Sequence, residues 1–330
     1  MTRLARLALT AATIAAALPF ASAAELDKNA LYKHLKKVFS APPGVEFEIK
    51  DLKPSKLPGF KSGILEIRFK GRTQTQPMSI SDDGHYYVMA EPIPVGESKI
   101  PGLVGTPEGD PELPQIHLTK DGKQLIIGEF RDLTVDPDAA NMAKLNIKGS
   151  PFQGKAGAPL VFVEFTDLEC PYCQVAHAAL SADLLKTYEG KIQWVLKHNP
   201  LTSIHPWAYD AAIAAACAHK LKADAAWKIS DKYYSKQDEL NPGNMKEKSI
   251  AFAKEVGLDE KKFATCYEKK ETQAIVDADI GEARALGINS TPTFVINGRV
   301  QAGFRDFATM KELLDDLLAE KMAEKKEKAN

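Results

Sequence analysis

"LVFVEFTDLECPYCQVAH", residues 160 to 177, decides how this chain is read. Its first half is a nearly continuous apolar run, the pattern of a β-strand covered on both faces. Its second half sets Cys170 and Cys173 around Pro171 and Tyr172, and a helical pattern continues over residues 173 to 188. A dithiol at such a junction can be a metal clamp, a structural bridge or a redox centre. A structural zinc site usually needs four ligands, often from two short-spaced pairs. This chain has one CxxC; its other cysteines, Cys217 and Cys266, stand far apart in helical sequence. His177 follows Cys173 at a spacing that shares a helix face, which makes at most a three-ligand site. A c-type haem needs His directly after the second Cys, where Gln174 stands. A bridge across two residues closes almost no loop and stabilises little.

The redox reading needs only what the junction supplies. Unpaired N–H groups and the positive end of the helix dipole favour thiolate over thiol. The thiolate is the species that attacks a disulfide. Cys170 is therefore expected to be the exposed attacking sulfur, and Cys173, one turn inside, to resolve the mixed disulfide. Pro171 has no N–H and Tyr172 no positive charge, so the dipeptide adds little beyond the helix terminus. Glu164, on a strand covered on both faces, is expected to have a raised pKa and to exchange a proton with Cys173, unless it reaches solvent at the strand end. Lys197, on the next strand pattern "KIQWVLKH", is a candidate partner for Glu164 or a solvated strand-end lysine. His198 and His205 are expected to be structural.

The chain has 330 residues, room for two domains, and its 44% hydrophobic and 26% charged residues fit a folded soluble protein. A net charge of −1 gives no reason to expect nucleic-acid binding. Residues 1–24 read as a cleavable signal peptide: Arg3 and Arg6, a short apolar core from Leu7 to Leu18, then "ASA". The apolar core is too short for a bilayer span of roughly 20 residues. Export places the four cysteines where disulfides persist, so Cys217 and Cys266 are expected to form a structural bridge.

Residues 25–145 read as an α+β unit. An amphipathic helix over 25–40 buries Leu31, Leu35 and Val38 on one face. "ILEIRFK" alternates Leu65, Ile67 and Phe69 with charged residues, the period of a half-buried strand. Asp83-Gly84 and Asp121-Gly122 mark hairpins, and the Pro- and Gly-rich stretch between them a long loop. Residues 146–158 are the linker candidate. From 159 to 330 the order is strand, helix, strand, a helical insert over 206–287, a hairpin about Asn297-Gly298 and a final helix, which is an α/β order.

"FVEFTDLECPYC", with "INSTPTFVINGRVQAGF" far downstream, resembles the Dsb family of periplasmic thiol–disulfide oxidoreductases. The resemblance covers 155–320 and implies a thioredoxin-like catalytic domain. It implies that Pro292 is cis and lies beside the CxxC, that Thr291 offers backbone groups to a substrate peptide, and that Pro171 and Tyr172 touch the same substrate. Glu164 matches the family's buried acid, and some relatives carry a second bridge near Cys217 and Cys266. "LTKDGKQLIIGEFRDLT", after "DLKPSKLPGF", resembles the dimerisation domain of the periplasmic isomerases. The resemblance thus implies a periplasmic homodimer that isomerises or reduces disulfides of unfolded or misoxidised exported proteins and is recycled by a membrane redox partner. No cofactor and no metal are expected. The alternatives are a DsbA-like dithiol oxidase and a chaperone-like binding module.

Overall fold

The computed structural model describes residues 26–94, 116–118 and 124–327. The expected signal peptide, the Asp121-Gly122 turn and most of the long loop before it lie outside these residues. The chain divides into two compact units.

Among the described residues the first unit takes 26–30, 47–67 and those within 73–134. Its larger sheet runs in the order β1 (Glu46–Pro54), β2 (Phe60–Phe69), β3 (Arg72–Ser81), β4 (Tyr86–Val88) and, across a gap in sequence, β8 (Arg131–Asp132). A small second sheet places β7 (Gln124–Ile127) between β5 (Ile93–Pro94) and β6 (Ile116–Leu118). In β2 the alternation buries Leu65 fully, whereas Ile67 and Phe69 are half-buried. The hairpin at Asp83-Gly84 pairs Ser79 with Val88 and Ile80 with Tyr87. Its connection is longer than a two-residue turn. Asp83 Oδ1 accepts the His85 N–H at 3.0 Å, and Gly84 alone there takes a positive φ, +73°.

The second unit takes residues 31–46, 68–72 and 135–330. Helix α1 (Lys28–Val38) buries Leu31, His34 and Leu35, because helical spacing puts 34 and 35 on the face of 31; Val38 is half-buried. Helix α2 (Pro137–Met142) starts at an Asp136 cap that accepts the Asp138 N–H. The main sheet then forms from β9 (Phe152–Gly154), β10 (Leu160–Thr166), β11 (Ile192–His198), β12 (Thr293–Ile296) and β13 (Arg299–Ala302), in the order β13-β12-β10-β11-β9. Strand β10 is central, parallel to β11 and antiparallel to β12. Helix α3 (Pro171–Thr187) follows β10. The insert is helical throughout: α4 (Ala208–Leu221), α5 (Ala225–Ser235), a 3₁₀ turn at 237–239, α6 (Met245–Glu255), α7 (Glu260–Glu268) and α8 (Gln273–Ala285). Helix α9 (Phe307–Glu327) closes the unit.

Both faces of the sheet are covered, as the apolar run implies. Phe162, Trp194 and Phe294 pack with Leu180 and Leu184 of α3, Trp227 of α5 and Leu314 of α9. On the other face Val163, Phe165, Val195 and Val295 pack with Ala283 of α8 and Ile288. The insert has its own core around Ile213, Cys217, Tyr233, Phe252, Phe263 and Cys266.

Two expected boundaries shift. Residues 146–158 contain β9, which pairs with β11 through Gln153 and Trp194. A linker reading misses this because the pairing depends on Gly154: at φ +83° a Cβ there would lie 2.3 Å from the Ile192 carbonyl oxygen. Helix α2, placed by sequence with the N-terminal unit, packs on β13 instead. Asn297 and Gly298 both take positive φ, and a Cβ at 298 would stand 2.0 Å from the Asp138 carbonyl. Only glycine fits this hairpin tip beneath α2.

Candidate active site

Strand β10 ends at Thr166, and the next four residues turn the chain into α3. The Cys170 N–H bonds to the Asp167 carbonyl at 3.1 Å, which closes the turn and leaves Cys170 as the cap residue of α3. Pro171 occupies the first helical position, where a missing N–H costs nothing. The Thr291–Pro292 peptide bond is cis, and the Cys170 thiol donates to the Thr291 carbonyl at 3.5 Å. The Pro292 carbonyl accepts the Gly303 N–H at 2.8 Å, which fixes this loop to the end of β13. Thus CxxC, Thr291 and Pro292, distant in sequence, meet at one sheet end.

Cys170 and Cys173 are free thiols. The Cys170 thiol is held down to about 6, first by a hydrogen bond from the Cys173 thiol and then, against burial, by the Cys173 amide. Cys173 is driven the other way, by burial first and then by donating to its neighbour. One sulfur therefore carries the charge and the other the proton. The expectation that Cys170 is exposed needs correction: it is 3% exposed, packed with Leu168 and Trp207 and bonded to the Thr291 loop. Tyr172, by contrast, is 73% exposed.

Glu164 is fully buried, and burial is the main cause that raises its carboxyl pKa. Its Oε2 accepts the Trp194 indole N–H at 2.9 Å, while Oε1 has no hydrogen-bond partner. Lys197 is not its partner. In the parallel register Glu164 stands beside Leu196 and Phe165 beside Lys197, so the two side chains leave opposite faces. Lys197 is nevertheless buried: its Nζ bonds to Asp279 Oδ1 and the Asn146 carbonyl at 2.8 Å and pairs with Glu282. It anchors α8 under the sheet, away from the dithiol.

Several neighbours carried no signal legible from spacing. Tyr234 of α5 bonds through its hydroxyl to Thr166 at 2.6 Å, and its ionisation is pushed well up by burial, Cys173 and Glu164. Gln237, in the 3₁₀ turn, donates to the carbonyls of Leu168 at 2.9 Å and Cys170 at 3.2 Å. His177 joins Asp231 at 2.5 Å rather than the cysteines. His205 pairs with buried Asp167 at 2.7 Å, and His198 is buried with a lowered pKa caused first by that burial. Cys217 and Cys266 are bonded, their Cα atoms 5.9 Å apart.

Among the described residues no helix is long and apolar enough to cross a membrane. Among similar sequences is the Na(+)/H(+) antiporter NhaA 3 of Salinispora tropica, 32% identical over 169 residues, which are 51% of this chain and 23% of that protein. The NhaA 1 antiporter of Mycolicibacterium vanbaalenii is 31% identical over 167 residues, 49% of this chain and 26% of its own. The chain thus spans about a quarter of the length of these relatives. Similar solved structures include oxidised BdbD of Bacillus subtilis, at 25% identity and TM-score 0.47 over 53% of this chain and 95% of that one. Another is α-DsbA1 of Wolbachia pipientis, at 20% identity and TM-score 0.49 over 56% and 98%. The thioredoxin family model matches residues 146–316, more than half of the chain, and takes in β9 to β13, the CxxC and the Thr291–Pro292 loop; the chain belongs to the thioredoxin family.

Proposed function

We propose that this protein is an exported thiol–disulfide oxidoreductase that reshuffles or reduces disulfides in other proteins through Cys170 and Cys173. One observation carries the reading: the thiol at the start of α3 is held down to about 6 beside a second thiol whose pKa is raised. The Cys170 thiolate attacks one sulfur of a substrate disulfide, and the other substrate sulfur leaves as thiolate. Cys173, once deprotonated, attacks Cys170 Sγ, closes the Cys170–Cys173 bond and releases the second substrate thiolate. Glu164, buried with a free Oε1, is the acceptor for the Cys173 proton. Thr291 and Pro292 hold the substrate backbone beside Pro171. Tyr172, Val175 and Ile204, exposed by 73%, 59% and 67%, give the elements around the dithiol an apolar surface suited to unfolded chains.

Thiolate preference at Cys170 stabilises the reduced dithiol, the state from which isomerisation and reduction start. The same preference makes a closed Cys170–Cys173 bond a ready electron acceptor, which is the specific support for an oxidase as second reading. The periplasm, a membrane partner that resets the dithiol, and a homodimer through the first unit complete the proposal. A Cys173→Ser chain should accumulate mixed disulfides with secreted proteins, and a Cys170→Ser chain should not. Trapping by both or by neither rejects the exchange reading. If Cys170→Ser abolishes exchange yet suppresses aggregation as well as the parent, the binding-module reading takes over. A resting dithiol that is reduced in the exported protein supports isomerase or reductase action; an oxidised one supports the oxidase.

A further inference from the structure

Asp167 is an anion placed beside the dithiol in a way the exchange chemistry above does not use. Its side chain is 0% exposed and that of His205 15%. Oδ2 accepts from His205 Nδ1 and from the Leu201 N–H, both at 2.7 Å, and Oδ1 accepts from the Glu169 N–H at 2.8 Å. The His205 N–H in turn bonds to the Leu201 carbonyl at 2.9 Å, so the loop after β11 is a ring closed on this carboxylate. The backbone of Asp167 is engaged as well. Its carbonyl accepts from Cys170 N, and its own N–H points at Cys173 Sγ at 3.5 Å. One residue therefore touches both ends of the CxxC turn, through the two peptide groups on either side of its α-carbon, and its side chain is anchored between them.

We infer that the Asp167–His205 pair is a positioning device for the resolving sulfur: it holds the Asp167 N–H on Cys173 and so makes the Cys173 thiolate attainable inside a buried site. The inference deepens the exchange reading and rests on it for its purpose. The resolving step needs a thiolate at Cys173, and burial opposes one. A hydrogen bond to a charged acceptor is among the stronger ones, provided the donor is held in line. Without His205 the carboxylate keeps the Leu201 and Glu169 amides, and the Thr166 carbonyl keeps the Asn199 N–H at 2.8 Å. The peptide that carries the donor therefore stays in the sheet end but loses the contact that sets its angle toward Cys173. The charges of this pair bear on Glu169, and that of Asp167 on Tyr234. Neither bonds to the Asp167 carboxylate through its side chain.

In a Cys170→Ala chain with the Cys217–Cys266 bond intact, Cys173 is the only thiol left to titrate. Its ionisation can be followed by the ultraviolet absorbance of the thiolate. His205→Ala should leave roughly tenfold less thiolate at a given pH, about one pKa unit. His205→Asn, whose amide can donate from the position of Nδ1, should stay within about twofold of the parent. A role confined to stability would lower the unfolding midpoint and leave the titration in place. If His205→Ala titrates like the parent, or if Asn titrates like Ala, the inference is overturned. Because His205 is partly exposed and the pair is compared at one site, the test does not depend on Asp167→Ala folding. Nor does it depend on turnover: a full chain that fails to equilibrate with glutathione would sink the exchange reading alone.

Discussion

At Cys170 the sign of the pH dependence follows from the direction of its shift. The folded value, about 6, lies below the roughly 8.5 of a free cysteine. The reduced protein therefore gains stability from this thiolate that is fully present above the unfolded value and is lost as pH falls through about 6. Alkylation of the reduced chain should titrate at Cys170 with a midpoint near that value, and small reagents should outpace bulky ones at a 3% exposed sulfur. A midpoint near that of free cysteine, or faster labelling of Cys173, would contradict the assignment of roles. Glu164 runs the other way. Its raised folded value makes its contribution complete below the unfolded carboxylate range and lost as pH climbs through the folded one. Glu164→Gln keeps an acceptor for Trp194 Nε1 but removes that loss. The variant should be at least as stable as the parent at neutral pH, with the difference vanishing near pH 4, roughly the ordinary carboxyl value. It should also slow the resolving step by on the order of a hundredfold. Unchanged resolution kinetics would reduce Glu164 to a packing residue. The dithiol, the helix start and the buried acid were legible in sequence because each follows from local pattern. Trp194, Tyr234 and Gln237 were not, since only the packing of α3 and α5 against the sheet brings them to the site.

Secondary structure shows the same division between local and non-local signals. The apolar run of β10 and the helical insert were readable because period and length are written into consecutive residues. The face of Lys197 was not, although the parity rule was available: register between β10 and β11 had to be known before Glu164 and Lys197 could be sent to opposite sides. Strand β9 escaped notice because three residues among Gly, Pro and Lys carry no period. The bond between Cys217 of α4 and Cys266 of α7 ties the insert together across 49 residues. Chain-entropy reasoning values such a closure at roughly 4 kcal/mol. Cys217→Ala with Cys266→Ala should therefore lower the unfolding free energy by about that amount, and somewhat more because two small buried side chains are also trimmed. Cys170 should keep its low titration midpoint in this variant. A loss of less than about 1 kcal/mol in denaturant unfolding would show that the insert is held by its core alone.

For the molecule as a whole, the question is where the catalytic unit begins. Sequence put the border near 145, at the Gly- and Pro-containing stretch, but the buried charges put it earlier. Arg299 of β13 is 1% exposed, and its guanidinium meets the Asp138 carboxylate of α2 at 3.0 and 3.2 Å. Asn141, also on α2, donates to the Gly298 carbonyl at 2.9 Å. A chain that starts at Gly149 loses α2 and leaves Arg299 with Glu320 alone, at 3.3 Å and partly exposed. Removing one partner of a buried pair costs on the order of 3–5 kcal/mol, because the remaining charge stays desolvated. A chain that starts at Thr134 keeps the pair and the Asp136 cap. Both truncations lack α1 and the first unit, so the difference between them reports on residues 134–148: α2 with its Arg299 pair, and the Asn146 carbonyl that Lys197 holds. The Thr134 start should unfold cooperatively at a urea midpoint well above that of the Gly149 start; equal midpoints would mean that neither the Arg299 pair nor the rest of residues 134–148 contributes. The Thr134 start tests what the first unit and α1 add together. If that unit makes a dimer that favours isomerisation, the chain without residues 1–24 should scatter light as a dimer and recover scrambled, disulfide-rich protein faster than the Thr134 start. A monomeric full chain, or equal recovery by both, would remove the isomerase reading and leave the oxidase in its place.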